Sequence, residues 1–186
     1  MITYKPSARL GTLNEEDFTS DPTARGWSIT NNGTGSYAFN GTYGLQIIST
    51  TAGPVTDLTI ENTTTKLQQY LSLKFYNVTA TRSFSPVPVL KIYLDDVEVI
   101  SVSLSSASSG NDFYGLVNIN LFKNTPTDYK YNYIIAQTSN SIGNNNYYSG
   151  TVNLNKNSVS KIKITVTSNG AGYSPQYLYI TNLKWV

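Results

Sequence analysis

The chain has 186 residues, a formal net charge of +2, no Cys and no His, a length that fits one domain with a core able to stand without staples. The missing Cys excludes disulfides and thiolate metal sites, and the missing His removes the usual general base, the usual zinc ligand and the side chain that titrates nearest neutrality. Charged residues make up only 13%, about half the ordinary share, so Ser, Thr, Asn and Tyr must keep the surface wet.

Such an exterior loses little when carboxylates protonate. It suits acidic, salty, extracellular or virion surroundings, although heavy use of Thr, Tyr and Ser is also what β-rich chains show. Lys and Arg are scattered and form no run, so no nucleic-acid or polyanion partner is expected. No apolar run approaches the roughly 18 residues of a membrane span, and the opening MITYKPSARLGT lacks the apolar centre of a signal peptide. The expectation is a chain that follows a removed signal or leaves the cell by another route, for example in a virion released by lysis.

In chain order, residues 1–14 carry Lys5, Pro6 and Arg9 with few apolar positions, and read as a short extended N-terminal arm. Residues 15–186 read as a single domain. Strands are expected at Trp27–Thr30, Ser36–Phe39, Leu45–Ser49 and Val55–Ile60, with Asn40-Gly41 as a hairpin turn because both residues tolerate positive φ. Lys66–Tyr70 can make one helical turn. Leu71–Val78 alternates cleanly, and Val89–Leu94 with Val97–Leu104 forms a hairpin about Asp95-Asp96. Phe113–Phe122, Tyr129–Ala136, Thr151–Leu154, Val159–Thr167 and the closing Tyr177–Val186 complete the series, with Thr138–Ser149 read as the most polar loop. About eleven short strands between Gly, Asn and Pro turns predict an all-β, antiparallel two-sheet jelly-roll sandwich.

The lead-in Glu16-Asp17-Phe18, the Trp27 strand and Gly44-Leu45-Gln46-Ile47, followed by LKIYLDDVEVISVSL and the ending KIKITVTSNG with YLYITNLKWV, resemble concanavalin A-like and carbohydrate-binding-module jelly rolls, as found in lectins and in viral surface proteins. The resemblance covers most of residues 15–186 as a pattern of strands. It implies the architecture, and in that architecture lectins, glycosidases, capsid domains and fibre domains all occur.

The glycosidases that this likeness brings in alternate carboxylates along a strand, which sets acid and nucleophile on one face. The nearest match is Asp96-Val97-Glu98, with only two carboxylates at a hairpin where Asp95 and Asp96 serve as turn formers; no catalytic residue is assigned. The likeness also implies a structural Ca²⁺ held by loop carboxylates. Asp17, Asp21 and Asp112 are the available ligands, but no Asp-x-Asp-x-Asp run exists, and no metal or cofactor is expected. Sugar binding has a firmer basis, because pyranose rings stack on aromatic faces and their hydroxyls bond to Asn and Tyr. Tyr147, Tyr148, Asn145 and Tyr173 are the candidate sugar residues, read as lying in loops. Tyr129, Tyr131 and Tyr133 alternate along one strand face and are read as packing on a neighbour or as a subunit interface. Asn-x-Ser/Thr sequons begin at Asn32, Asn40, Asn62 and Asn77, as the Asn, Ser and Thr content alone would produce.

The functional expectation is a non-enzymatic virion surface protein, a capsid, decoration, turret or fibre jelly roll. It would be a homo-oligomer such as a trimer, with other virion proteins and cell-surface glycans as partners and a virion surface or extracellular location. The alternative is a carbohydrate-binding module or lectin domain, and an enzyme ranks third.

Overall fold

The computed structural model of the chain describes residues 13–33, 35–49, 55–63, 67, 69–77, 89–103, 114–138, 143–155, 159–169 and 176–186. Among them run β1 (Asn14–Glu16), β2 (Trp27–Asn31), β3 (Ser36–Asn40), β4 (Gly44–Ser49), β5 (Val55–Asn62), β6 (Tyr70–Asn77) and β7 (Val89–Leu94). They continue with β8 (Val97–Ser103), β9 (Tyr114–Lys123), β10 (Asp128–Thr138), β11 (Gly143–Asn153), β12 (Ile162–Asn169) and β13 (Gln176–Trp185). The helical content described is one 3-10 turn, Thr23–Arg25, so among the described residues no helix is long and apolar enough to cross a membrane.

The strands form two antiparallel sheets. The larger runs β11-β10-β9-β6-β13-β4-β3 with β1 added on β13, and the smaller runs β2-β5-β12-β7-β8. This is the expected all-β jelly-roll sandwich. One side of β13 pairs with β6; the other takes β4 along its first half and β1 along its last, with Leu178 opposite Ile47 and Trp185 opposite Asn14. The chain's end is thereby locked to its beginning.

The core follows from period-two alternation. Leu71, Leu73 and Phe75 of β6, Val117, Ile119 and Leu121 of β9, and Leu178 and Ile180 of β13 point inward from the larger sheet. Leu58 and Ile60, Ile162, Ile164 and Val166, and Leu90, Ile92 and Leu94 meet them from the smaller one, all at most 1% exposed. Each such side chain stabilises the fold by about 1.5–3 kcal/mol relative to leaving it in water, and a one-residue slip of any strand would turn its apolar row outward. At one end Phe18, Trp27 and Trp185 pack edge to face, with ring centroids 5.5 and 5.7 Å apart. Beside them Glu16 is buried. Its carboxylate accepts from Arg25 Nε at 2.6 Å, from Arg25 Nη2 at 2.8 Å and from the Phe18 backbone N–H at 2.9 Å.

Several local expectations are corrected. The Asn-rich stretch read as a loop is β11, paired with β10 from Gly143 opposite Thr138 to Asn153 opposite Asp128; its weak β propensity is overridden by a long partner strand. Within the expected helical turn, Leu67 instead makes an isolated antiparallel bridge to Val159. At the β3–β4 turn, positive φ falls on Gly44 (92°) rather than on Asn40 or Gly41, and the Asn40 side chain accepts from the Thr42 and Tyr43 N–H groups. Asn14, the last residue of the expected arm, is already in β1. Asp95 and Asp96 do form the β7–β8 turn, both at positive φ, as a two-residue hairpin requires. The sequon residue Asn62 is buried within β5, while Asn32 is exposed.

Candidate functional site

The strand order places polar residues that are far apart in sequence into rows across the outer face of the larger sheet. One row reads Lys184 (β13), Ser72 (β6), Asn120 (β9), Asn132 (β10) and Ser149 (β11), each opposite the next. The row above reads Thr181, Lys74, Asn118, Ile134 and Tyr147. Five strands at about 4.8 Å spacing make a stripe about 19 Å long. Over β13, β6 and β9 it forms a trough of about 220 Å³ lined by Ser72, Lys74, Asn118, Asn120, Asn182 and Lys184 over the backs of Leu73 and Ile119.

The floor is fixed by hydrogen bonds. Tyr70 Oη donates to Asn120 Oδ1 at 2.9 Å, and Asn120 Nδ2 donates to Asn132 Oδ1 at 3.1 Å. This sets which end of each amide is offered. A register shift in β13 between Thr181 and Lys184 leaves Asn182 in the left-handed region at φ 52° and aims it into the trough, the use to which bulges are commonly put.

Aromatic side chains stand at both ends. Above, Tyr179 is sandwiched by Tyr76 (5.4 Å, stacked) and Tyr43 (5.3 Å), accepts from Gln46 Nε2 at 3.0 Å, and Tyr76 Oη donates to the Tyr43 carbonyl at 2.9 Å. Burial raises the Tyr76 hydroxyl above its ordinary pKa. Below, Tyr70 is paired opposite Phe122, whose ring is partly exposed.

The sequence-predicted tyrosines divide between the two faces. Tyr147 and Tyr148 are neighbours on β11 and therefore point oppositely. Tyr147, 64% exposed, ends the upper row of the stripe on the outer face. Tyr148 stacks on Tyr133 at 4.7 Å, and Tyr133 stacks on Tyr131 at 6.3 Å, on the side that packs against the core. Tyr131 lies over Gly150, where any Cβ would meet its ring. Tyr129 is wholly buried in the single chain and is core rather than surface; Tyr131 and Tyr133 are half-buried. Asn145 pairs with Ala136 in the β11–β10 register. Tyr173 and Asp112 lie outside the described residues.

None of the carboxylates singled out in the sequence lines the trough. Asp17 and Asp21 each close a local turn by accepting from the N–H and hydroxyl two residues on, Thr19 and Thr23, and these bonds hold both below the usual Asp value. Arg25 is close enough to reinforce both shifts, a poor setting for a second cation. Among the described residues no group of three acidic ligands forms. Asp96 is held low by Lys163 and Lys161, and Glu98 pairs with Lys91 at 2.9 Å. The two do not form the paired acid and base of a glycosidase.

These shifts predict the pH profile of stability. Asp17, Asp21 and Asp96 have folded pKa values below 3.8, so their contribution is present above that pH and lost as pH falls through the folded values. Lys91 and Lys161 are raised above 10.5 by Glu98 and Glu61, and Tyr76 and Tyr133 above 10.0 by burial. Their contributions are present below those values and lost as pH rises through the folded ones. Calorimetry should show a melting temperature flat from about pH 5 to pH 9 and falling on both sides. A step near neutrality would contradict this assignment.

Sequence reading missed the floor residues Ser72, Lys74, Asn118, Asn120, Asn132 and Lys184. Their alternation with core residues was visible, but their alignment depends on strand order, which alternation does not supply.

No protein-family model matches the chain, and no curated protein aligns with it. Among solved structures it is similar to a complex of lectin UEA-II with galactose, at 8% identity, 97% of this chain and 99% of that one, TM-score 0.53. It is also similar to the metal-free lectin I-B4 from Griffonia simplicifolia, at 8% identity, 91% and 96% coverage, TM-score 0.50. A third match is a mannan-recognising module, TmCBM27, at 15% identity, 94% and 96% coverage, TM-score 0.43. The chain thus has the concanavalin A-like β-sandwich fold that its strand pattern resembles.

Proposed function

We propose that the protein is a carbohydrate-binding module whose ligand lies in the trough of the larger sheet. The observation that carries this reading is the pair of aligned polar rows, amide and hydroxyl in the middle, with aromatic rings at their margins. Sugar hydroxyls match the former and ring faces the latter. A stripe about 19 Å long suits an oligosaccharide better than a single sugar. The lectin UEA-II, whose structure the chain is similar to, is complexed with galactose, which supports the class and not the particular sugar. We place the protein outside the cell, a virion surface included, because its low-charge exterior suits that setting. Self-association through Tyr131 and Tyr133 is part of the same proposal, and light scattering on the full chain tests it.

The binding test uses retention on a panel of immobilised polysaccharides. Asn118→Ala and Tyr147→Ala should each weaken retention on the best ligand about fivefold. Tyr148→Ala should leave retention unchanged while lowering stability by about 1 kcal/mol, because it removes the stack on Tyr133. No retention across the panel, or equal loss from Tyr147 and Tyr148, would sink the proposal.

A further inference from the structure

We infer that the trough selects a sugar bearing an anionic group, a carboxylate or a sulfate, and that Lys74 reads it. This rests on the trough being the glycan site. The trough is lined by two lysines and by no acidic residue. Lys184 pairs with Glu15 at 2.9 Å. Lys74 is exposed, its row neighbours are Thr181 and Asn118, and among the described residues no carboxylate lies within ion-pair distance of it.

The outer face of the smaller sheet is arranged differently. There Lys91 pairs with Glu98 at 2.9 Å, Lys161 with Glu61 at 3.0 Å and Asp96 at 3.1 Å, and Lys163 with Asp96 at 2.8 Å. Among the described residues, then, the lysines of one face are balanced, and Lys74 stands without a carboxylate partner in the middle of the other. A neutral sugar laid over Lys74 would strip water from an ammonium and return only hydroxyl contacts. An anionic substituent returns charge-assisted hydrogen bonds, while Thr181 and Asn118 on either side offer partners for the ring hydroxyls. Lys184, held by a surface ion pair of small net strength, is a second cation within the same trough. The lack of a basic run in the sequence bears on partners held by many phosphate contacts at once, such as nucleic acid; reading the charge of one sugar within a chain needs only a lysine that the sheet has placed correctly.

The test compares matched chains on the intact protein: polygalacturonate against its full methyl ester, and a sulfated galactan against its desulfated form. Wild type should prefer the charged member of at least one pair by about tenfold, with the pair identifying the anion. The preference should fall toward unity in Lys74→Met and at about 1 M salt, where screening reaches only about 3 Å. Lys74 is exposed, so the variant should fold as wild type does, checked by circular dichroism. Equal retention of both members of both pairs would overturn the inference and leave the glycan proposal standing. A preference that persists in Lys74→Met would overturn the assignment to Lys74. Retention of no polysaccharide at all would overturn both.

Discussion

Gly44→Ala should destabilise the protein by about 4 kcal/mol, the sum of a strained backbone and a collision that nothing can relieve cheaply. Gly44 has φ 92°, and a Cβ there would meet the Ile180 carbonyl oxygen, the Asp17 carbonyl oxygen at 2.7 Å and Thr181 Cβ at 2.9 Å. Two of those three atoms are backbone. One belongs to the closing strand and the other to the segment after β1, so relief requires separating β4 from β13 or from the chain's opening. The Asp17 carbonyl also accepts from Thr181 Oγ1 at 3.1 Å, which ties the same point to the upper row of the trough. Gly41→Ala is the control: nothing lies within 4 Å of its Cβ, and the change should be about 0.5 kcal/mol or less. Urea unfolding of both variants decides the matter. A Gly44→Ala protein within about 1 kcal/mol of wild type would mean that the approach of the three segments is not a constraint.

Arg25→Ala should cost about 3 kcal/mol, and Glu16→Gln distinctly less. The asymmetry follows from burial. The Glu16 side chain is 1% exposed and Arg25 43%. Removing Arg25 strands a carboxylate that keeps a single backbone donor, the Phe18 N–H. Replacing Glu16 by Gln instead frees a guanidinium that already reaches water and leaves an amide oxygen for the same N–H. The low end of the range for broken buried pairs is taken because half of the pair is wet. Arg25→Lys should recover only part of the loss, since one ammonium cannot reproduce the two-pronged contact. Equal costs for Arg25→Ala and Glu16→Gln in urea melts at neutral pH would refute the burial argument.

How much of this was legible beforehand depends on which interaction decides each segment. The β7–β8 hairpin was readable because Leu90, Ile92 and Leu94 alternate with Lys91 and Tyr93, and because two adjacent Asp residues accept positive φ. β11 was not, since Asn144, Asn145 and Asn146 have poor strand propensity and the deciding partner is β10. That single misreading carried another with it: two tyrosines taken as a joint loop platform are divided between faces as soon as the segment is extended. The trough was invisible for a more general reason. Ser72, Asn120 and Asn132 become neighbours only through the order β6-β9-β10, and single-strand patterns specify faces without specifying which strands adjoin.

The edge-to-face pair of Trp27 and Trp185 has a spectroscopic consequence. These are the chain's only two tryptophans, and both are buried in one seam, at 2% and 8% exposure. Indole emission is therefore a single-position reporter of whether the ends of the chain are joined. Lys184, one residue before Trp185, faces the trough while the indole faces inward, so a ligand on the sheet's outer surface leaves that emission unchanged. Tyr70 and Tyr76 flank the trough along β6 and Tyr147 ends its upper row on β11, so tyrosine signals carry the binding event. One sample excited at two wavelengths separates a variant that has lost its ligand from one that has lost its fold.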